Sequence, residues 1–231
     1  MNEGAAQKAR IRAMFDAVAP RYDFLNHLLS AGADVGWRRR AVRALALRPG
    51  ERLLDLCAGT GDLGLEALEA EPGLRVVGID LARNMLLRGD AKRGAAPYLF
   101  VQGDAERLPV PSGAFDAACV GFGIRNEASL DRALTETARA LRPGGRFVIL
   151  EFTTPRAPWL RGLYLAYFHH VLPRVGGWVS GRPEAYRYLP ASVAEFPAPE
   201  ALAERLRRAG FADVRWSILH GGIAALHVAR R

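Results

Sequence analysis

Arg52-Leu53-Leu54-Asp55-Leu56-Cys57-Ala58-Gly59-Thr60-Gly61-Asp62 is the stretch that decides the fold. Leu53, Leu54, Leu56 and Cys57 make a short, almost wholly apolar run, the pattern of a strand buried on both faces of a parallel sheet. A glycine turn follows at once. Gly59 and Gly61, with Thr60 between them, let the backbone approach a ligand closely, and a helix opening near Asp62 points free N–H groups and a positive dipole end at the same place. Gly59 to Gly64 also fits G-x-G-x-x-G, so a dinucleotide has to be weighed beside other nucleoside-like ligands. Asp55 argues against the dinucleotide. A carboxylate just ahead of the glycines adds negative charge beside a pyrophosphate, whereas it suits a cofactor that carries an amino group and a sulfonium. Farther on, Leu74-Arg75-Val76-Val77-Gly78-Ile79-Asp80 reads as the next strand. It ends in an acid roughly 20 residues past the glycines, the offset at which such folds bind ribose hydroxyls. Asp80 is therefore the expected ribose clamp.

A chain of 231 residues is expected to form one α/β domain with a full core. The net charge is +8, and Lys8 and Lys92 are the only lysines, so arginine carries nearly all of it. Such a balance favours nucleic acid or an anionic membrane as a partner, although a solvated face is the commoner meaning. Cys57 and Cys119 sit in apolar runs without a C-x-x-C partner, which predicts buried thiols in a reducing cytoplasm and no metal site. Met1 to Arg12 is charged and lacks an apolar core, reading against a signal peptide, and no run of about 20 apolar residues is available to span a bilayer. The expectation is a cytoplasmic protein, soluble or peripheral to a membrane.

Taken in order, Ile11, Met14, Phe15 and Val18 recur at helical spacing before Pro20, and Leu25, Leu28 and Leu29 continue as a second short helix. Tyr22, Asp23 and His27 there place a phenol, a carboxylate and an imidazole where they could cover a cofactor. Asp34 is expected to cap a third helix running to about Leu47, with Trp37 inward and Arg38, Arg39, Arg40 and Arg43 mostly in solvent. Met85 opens a helix after the second strand, Tyr98 to Gln102 read as the third strand, and Gly103-Asp104-Ala105 ends it. The fourth strand, Phe115 to Val120, runs into Gly121-Phe122-Gly123-Ile124-Arg125-Asn126 at the carboxyl edge of the sheet, where ligands of open α/β sheets lie. A helical stripe from Leu130 to Leu141 ends at Pro143-Gly144-Gly145 before a fifth strand, Phe147 to Phe152. Pro199 and Gly210 bracket a last helix. Val214, Trp216 and Ile218 read as a half-buried strand that turns at Gly221-Gly222 into a final antiparallel strand, Ile223 to Val228.

The whole chain resembles the ubiquinone/menaquinone biosynthesis C-methyltransferase family, most nearly those members that act on demethylmenaquinol. The residues that carry the resemblance are Met14 to Ala19 with Tyr22, Asp23 and Asn26; Leu28-Leu29-Ser30 with Gly32 and Trp37; Leu54-Asp55-Leu56 with Gly59-Thr60-Gly61-Asp62; Phe122 to Asn126; Leu150-Glu151-Phe152 with Pro155; Phe196-Pro197; and Ala209-Gly210-Phe211. Two departures stand out: Cys57-Ala58 where the family often has two small residues, and Gly121 where some members have a serine. The resemblance implies a Rossmann-like class I methyltransferase fold, a seven-stranded mostly parallel sheet with an antiparallel last strand. It implies a single domain over 1–231, with covering helices over 1–48 and a substrate-covering insertion over 155–198. It implies S-adenosylmethionine as methyl donor, bound by Gly59, Thr60, Gly61, Asp80, Met85 and Gly121, with Asp104 and the backbone of Ala105 at the adenine edge. The implied acceptor is a ring carbon of a reduced polyprenyl quinone, a naphthoquinol, with Arg125, Asn126, Asp23 and Tyr22 as candidate catalytic groups.

Three alternatives stay open at this level: a ubiquinone precursor as substrate, a nucleic-acid or other small-molecule methyltransferase, and a cofactor-binding regulator without turnover. Against nucleic acid, the strand-four exit reads Gly121-Phe122-Gly123-Ile124 rather than Asn/Asp-Pro-Pro-aromatic. Homo-oligomerisation is left open. Between Trp159 and Trp178, Leu160, Leu163, Tyr164, Tyr167, Phe168, Val171 and Leu172 fall on one helix face. Arg156, Arg161, Arg174 and Arg182 flank it, the mixture of a helix lying at a lipid interface. The expectation is a lid over the quinone site that docks on anionic lipid.

Overall fold

A computed structural model describes residues 3–174 and 183–231; Trp178 and Arg182 of the expected lid lie outside the described residues. Seven strands form one sheet in the order β3-β2-β1-β4-β5-β7-β6. These are β1 (Arg52–Leu56), β2 (Arg75–Asp80), β3 (Tyr98–Gln102), β4 (Phe115–Gly121), β5 (Leu141–Phe152), β6 (Ala212–Leu219) and β7 (Ala224–Arg230). β7 enters between β5 and β6 and is antiparallel to both, while the other pairings are parallel. The expected α/β class and reversed last strand are what the chain adopts.

Alternation along the strands sorts the core into two layers. Leu54, Leu56, Val120, Phe147 and Ile149 face one layer of helices, α6 (Leu130–Ala140) and α9 (Pro199–Arg208). Leu53, Cys119, Val148 and Leu150 face the other, formed by α3 (Ala33–Leu45) and α4 (Asp62–Ala70), where Trp37, Leu45 and Leu63 meet them. Leu53 and Leu54 are both fully buried, as a doubly covered strand requires. α5 (Arg83–Arg93) joins β2 to β3, and α1 (Glu3–Val18) and α2 (Tyr22–Leu29) lie over the carboxyl edge of the sheet, separated by a short 3₁₀ turn at Pro20. α7 (Pro158–Ala166) runs on through a π turn, Tyr167–Val171, and α8 (Pro183–Glu195) returns beside it.

Several local expectations need correcting. α3 begins at Ala33 behind Gly32, whose φ of 76° serves the entry, so Asp34 sits in the first turn and not at the cap, and the helix ends at Leu45. Arg38 is not solvated: it is 8 % exposed and pairs with Asp34 at 2.8 Å and Asp62 at 3.3 Å. β5 starts at Leu141 and absorbs Pro143 to Gly145 as a bulge, with the register jumping from Phe115↔Leu141 to Ala117↔Arg146. Trp216 and Ile218 are exposed on β6, the edge strand of the sheet, whose register against β7 shifts between Ala212 and Arg215.

Candidate active site

The glycine turn does its work with backbone. Gly61 takes φ of 82° and leads into α4 at Asp62. At Gly64 a Cβ would lie 2.6 Å from the Tyr98 ring, so this glycine lets α4 close on the sheet. Asp55 lies on the α4 face of β1, 1 % exposed, where its Oδ2 accepts from the Gly64 N–H at 3.0 Å and from the Tyr98 hydroxyl at 2.6 Å. Burial pushes its carboxyl up to about 7. It therefore braces the turn from behind and faces neither cavity, which corrects the reading that its charge meets the ligand.

Two cavities open above the sheet. The narrow one, about 50 Å³, lies between the ends of β1, β2 and β4 and is roofed by Ile11, Arg12 and Phe15 of α1. Among the expected cofactor residues Gly59, Asp80, Met85, Ala105 and Gly121 line it, as do Tyr22 and Asn126 from the expected catalytic set. Asp80 Oδ2 accepts from the Gly59 N–H at 2.9 Å and Oδ1 from the Ala82 N–H at 2.7 Å. Burial raises its pKa despite those two donors. The broad cavity, about 320 Å³, is walled by aromatic and aliphatic side chains of α1, α2, Phe122, Phe152 and the α7–α8 segment. Phe15, Tyr22 and Phe122 line both. Phe122 and Cys57, at the ends of adjacent strands, hold left-handed φ of 58° and 49°, a cost of order 1–3 kcal/mol each that clusters at functional sites.

Arg125 opens onto the broad cavity. It donates to the Phe122 carbonyl, to Glu151 Oε1 at 2.8 Å and, through Nε, to the Ser192 hydroxyl at 3.3 Å, with its guanidinium carbon 5.6 Å from the Phe152 ring centre. Glu151 is 1 % exposed, and its Oε2 has no partner; burial raises its pKa, with Arg125 acting the other way. The Tyr164 hydroxyl, also on this cavity's wall, is buried and unpaired.

The remaining expected residues hold the cover. Thr60 donates its hydroxyl to Asp23 Oδ1 at 2.5 Å, and Lys92 bridges Asp23 at 2.9 Å, Thr60 at 3.2 Å and Asp62. Thr60 and Asp23 thus close α2 onto the turn that Gly61 completes, and His27, which lines neither cavity, pairs at 2.8 Å with Asp34 on the wall of the broad one. Asp104 does not line the narrow cavity: Lys8 holds its Oδ2 at 2.7 Å and the Glu106 N–H donates to Oδ1 at 2.9 Å. The chain's only lysines are therefore the staples that pin α1 and α2 to the nucleotide-fold core, a scarcity visible in the sequence and not used there. Glu127 and Glu151 were also missed. The signals were an acid directly after Asn126 at the ligand edge and an acid inside the apolar run Phe147 to Phe152, which needs a buried partner.

The lid stripe splits in two. Tyr164, Phe168 and Leu172 turn inward with Leu25 and Val193, whereas Trp159 (71 %), Leu163 (63 %) and Val171 (43 %) face out. Tyr164, Phe168 and Leu172, four residues apart, keep one line on the core through the π turn, and Leu163 and Val171 stand beside that line on the solvent edge of the stripe.

The ubiE/COQ5 methyltransferase family model matches residues 3–231. A demethylmenaquinone methyltransferase of Thermus thermophilus is 50 % identical over 94 % of this chain and 100 % of its own length. A ubiquinone/menaquinone biosynthesis C-methyltransferase UbiE of Syntrophotalea carbinolica is 45 % identical over 98 % of this chain and 96 % of its own. Among solved structures, an S-adenosylmethionine-dependent methyltransferase of Thermotoga maritima described as a possible histamine N-methyltransferase superposes with a TM-score of 0.66 at 19 % identity. That match covers 94 % of this chain and 98 % of that one, and it speaks for the fold alone.

Proposed function

Because the chain belongs to the ubiE/COQ5 methyltransferase family, we propose that its two adjoining cavities divide one reaction, with the methyl donor in the narrow cavity and the quinol ring in the broad one. The enzyme is an S-adenosylmethionine-dependent C-methyltransferase of menaquinone biosynthesis, turning demethylmenaquinol into menaquinol. The observation that carries the division is the shared wall: Phe15, Tyr22 and Phe122 border a polar, backbone-built site on one side and an apolar hollow on the other. When bound, the cofactor supplies an electrophilic methyl on a sulfonium. The residues present fit it: glycine backbone at Gly59 and Gly121, the Asp80 carboxylate for the ribose, and a buried, unpaired Asn126 Oδ1.

Transfer needs a ring carbon aligned with methyl and sulfur, an orientation worth roughly 7–11 kcal/mol. Phe122, Phe152 and Tyr164 sandwich the ring, and Arg125 stabilises the phenolate whose electrons feed the attacking carbon. Methylation of the ring carbon would leave a neutral thioether on the donor's sulfur, and the proton displaced from that carbon would pass to water, which restores the aromatic ring. Tyr22 lies at the junction of the two cavities where that proton leaves, and Asn126 faces it from the narrow side alone. Asp23, held by Thr60 and Lys92, acts on α2 closure instead. The covering roles of 1–48 and 155–198 belong to the same reading. Incubation with methyl-labelled S-adenosylmethionine and either demethylmenaquinol or a ubiquinone precursor tests it. Label on a naphthoquinol ring carbon is expected; label on oxygen, or on the ubiquinone precursor alone, would overturn it.

A lipid surface is the proposed source of the substrate. Among the described residues no helix is long and apolar enough to cross a membrane. Yet Trp159, Leu163 and Val171 point outward beside exposed Arg161 and Arg174, and the neighbouring α2 adds Phe24 and Leu28. Anionic lipid suits that mixture on a cytoplasmic protein of net charge +8, and the inner face, Tyr164 to Leu172, offers the prenyl tail an apolar path.

A further inference from the structure

The broad cavity is polar at both ends of its aromatic wall. Arg125, after β4, stands at one end, with its guanidinium carbon beside the Phe152 ring. At the other end, beyond Trp37, whose ring centre is 6.2 Å from that of Phe152, the lining residues are Ser30, Asp34, Arg38 and His220. Most donors there are spent. Ser30 donates its hydroxyl to Asp34 Oδ1 at 2.6 Å, and Arg38 is paired with Asp34 and Asp62. His220 differs. The Trp37 indole N–H donates to its Nδ1 at 2.5 Å, and an indole nitrogen can only donate, so the proton of the neutral imidazole sits on Nε2. That Nε2–H has no partner among the described residues. His220 is exposed where the cavity opens, and it holds a left-handed φ of 44° in the turn between β6 and β7, a strain that gathers at functional sites. β4, which delivers Arg125, and β7, which His220 precedes, lie two strand spacings apart, roughly 10 Å, on either side of the end of β5 that carries Phe152. A six-membered ring with oxygen at two opposite positions, and a hydrogen bond to each, fits that span.

Resting on the reading of this cavity as the quinol site, we propose that His220 Nε2–H donates a hydrogen bond to the quinol oxygen para to the one at Arg125, so that the ring is held at both ends and a dihydroxy ring is selected over a monohydroxy one. Trp37 is the positioning residue, since its indole sets both the tautomer and the direction of the imidazole. Two fixed points leave the ring one setting in its plane, with its open carbon toward the junction at Tyr22 and Phe122.

The test measures kcat/KM of the full chain, at saturating S-adenosylmethionine, for a short-chain demethylnaphthoquinol and for its analogue that keeps the hydroxyl beside the open carbon and has hydrogen in place of the para hydroxyl. His220→Gly suits the left-handed backbone and removes the imidazole. It should lower the value for the diol about two- to tenfold, the worth of one hydrogen bond between neutral groups, and leave that for the monohydroxy compound within about twofold of wild type. His220→Gln, which keeps an N–H donor at the end of its side chain, should recover part of the difference. Nitrogen NMR of the wild-type imidazole should find the proton on Nε2. Melting temperatures establish that each variant keeps the fold, and a merely structural change would lower both substrates together. Equal loss on the two compounds, no loss in His220→Gly, or a proton on Nδ1 would overturn the assignment. Methylation of neither compound by the wild type, with S-adenosylmethionine bound, would instead overturn the quinol reading beneath it.

Discussion

The narrow and broad cavities share three residues and are otherwise made differently. The narrow one is built at strand ends, from glycine backbone and the Asp80 carboxylate, braced behind by the buried Asp55. The broad one is built from side chains of helices that lie on the sheet, with the Arg38–Asp34 pair in one part of its lining and Arg125, held from behind by Glu151, facing an aromatic wall. A backbone site tolerates changes of cover, since the sheet sets its geometry. A side-chain site depends on how its helices dock, and here those helices are held to the core by a few ion pairs at Lys8 and Lys92.

The largest expected effect comes from breaking the Arg125–Glu151 pair. Arg125→Ala leaves Glu151 buried and unpaired, so unfolding in urea should show a loss of about 3–5 kcal/mol. Arg125→Lys keeps the charge and the fold; turnover should fall while cofactor affinity stays near wild type. Loss of both together would make Arg125 a part of the narrow cavity and erase the distinction. Next in size, Asp80→Ala should weaken S-adenosylmethionine binding by about 1.5–3 kcal/mol in calorimetry, with quinol-analogue binding untouched. Unchanged cofactor affinity with the fold intact would refute its placement at the ribose.

A smaller effect concerns the brace. Asp55 titrates near 7 in the folded chain against about 3.9 unfolded, so the native state holds the extra proton and stability falls as pH rises from about 4 through 7. Asp55→Asn should remove up to about 1.4 kcal/mol per pH unit of that slope in unfolding measured across the window; an unaltered slope would assign it to other carboxyls. Smallest in stability is Trp159→Ala with Leu163→Ala on the outer lid face, expected within about 0.5 kcal/mol of wild type. Co-sedimentation with anionic vesicles should nevertheless drop sharply, whereas Phe168→Asp, being buried, should unfold the lid and inform on packing alone.

Legibility in the sequence follows the same division. Strand, glycine turn, helix, strand and terminal acid were readable because each step has a local cause: an apolar run, a residue tolerant of positive φ, and a helix start. Asp80, Gly59 and Gly121 stand where that order places them. Asp55 was misread because its facing depends on strand register, and period-2 alternation with Leu53 puts it on the α4 side. Arg38 reads as solvated because Asp62, its second acceptor, comes from another part of the chain, although Asp34 one helical turn before it is a local partner. The lid's single stripe is covered along one edge only, and which edge depends on how α2 and α8 dock, which the pattern of apolar residues does not record. Partners remote in sequence, such as Arg125 with Glu151 or Lys8 with Asp104, required the fold itself.

The account stands or falls on whether both cavities are used at once across Tyr22 and Phe122. A crystal structure of the protein with S-adenosylhomocysteine and a short-chain demethylnaphthoquinol measures this directly. Sulfur is expected at the end of β4 beside Gly121, with the unsubstituted ring carbon facing it across the shared wall. The gap from sulfur to ring carbon should be one sulfur–methyl bond plus a near-attack contact of roughly 3–3.5 Å. A quinol ring bound on the outer face by Trp159 and Leu163, or a cofactor lying in the broad cavity, would contradict it.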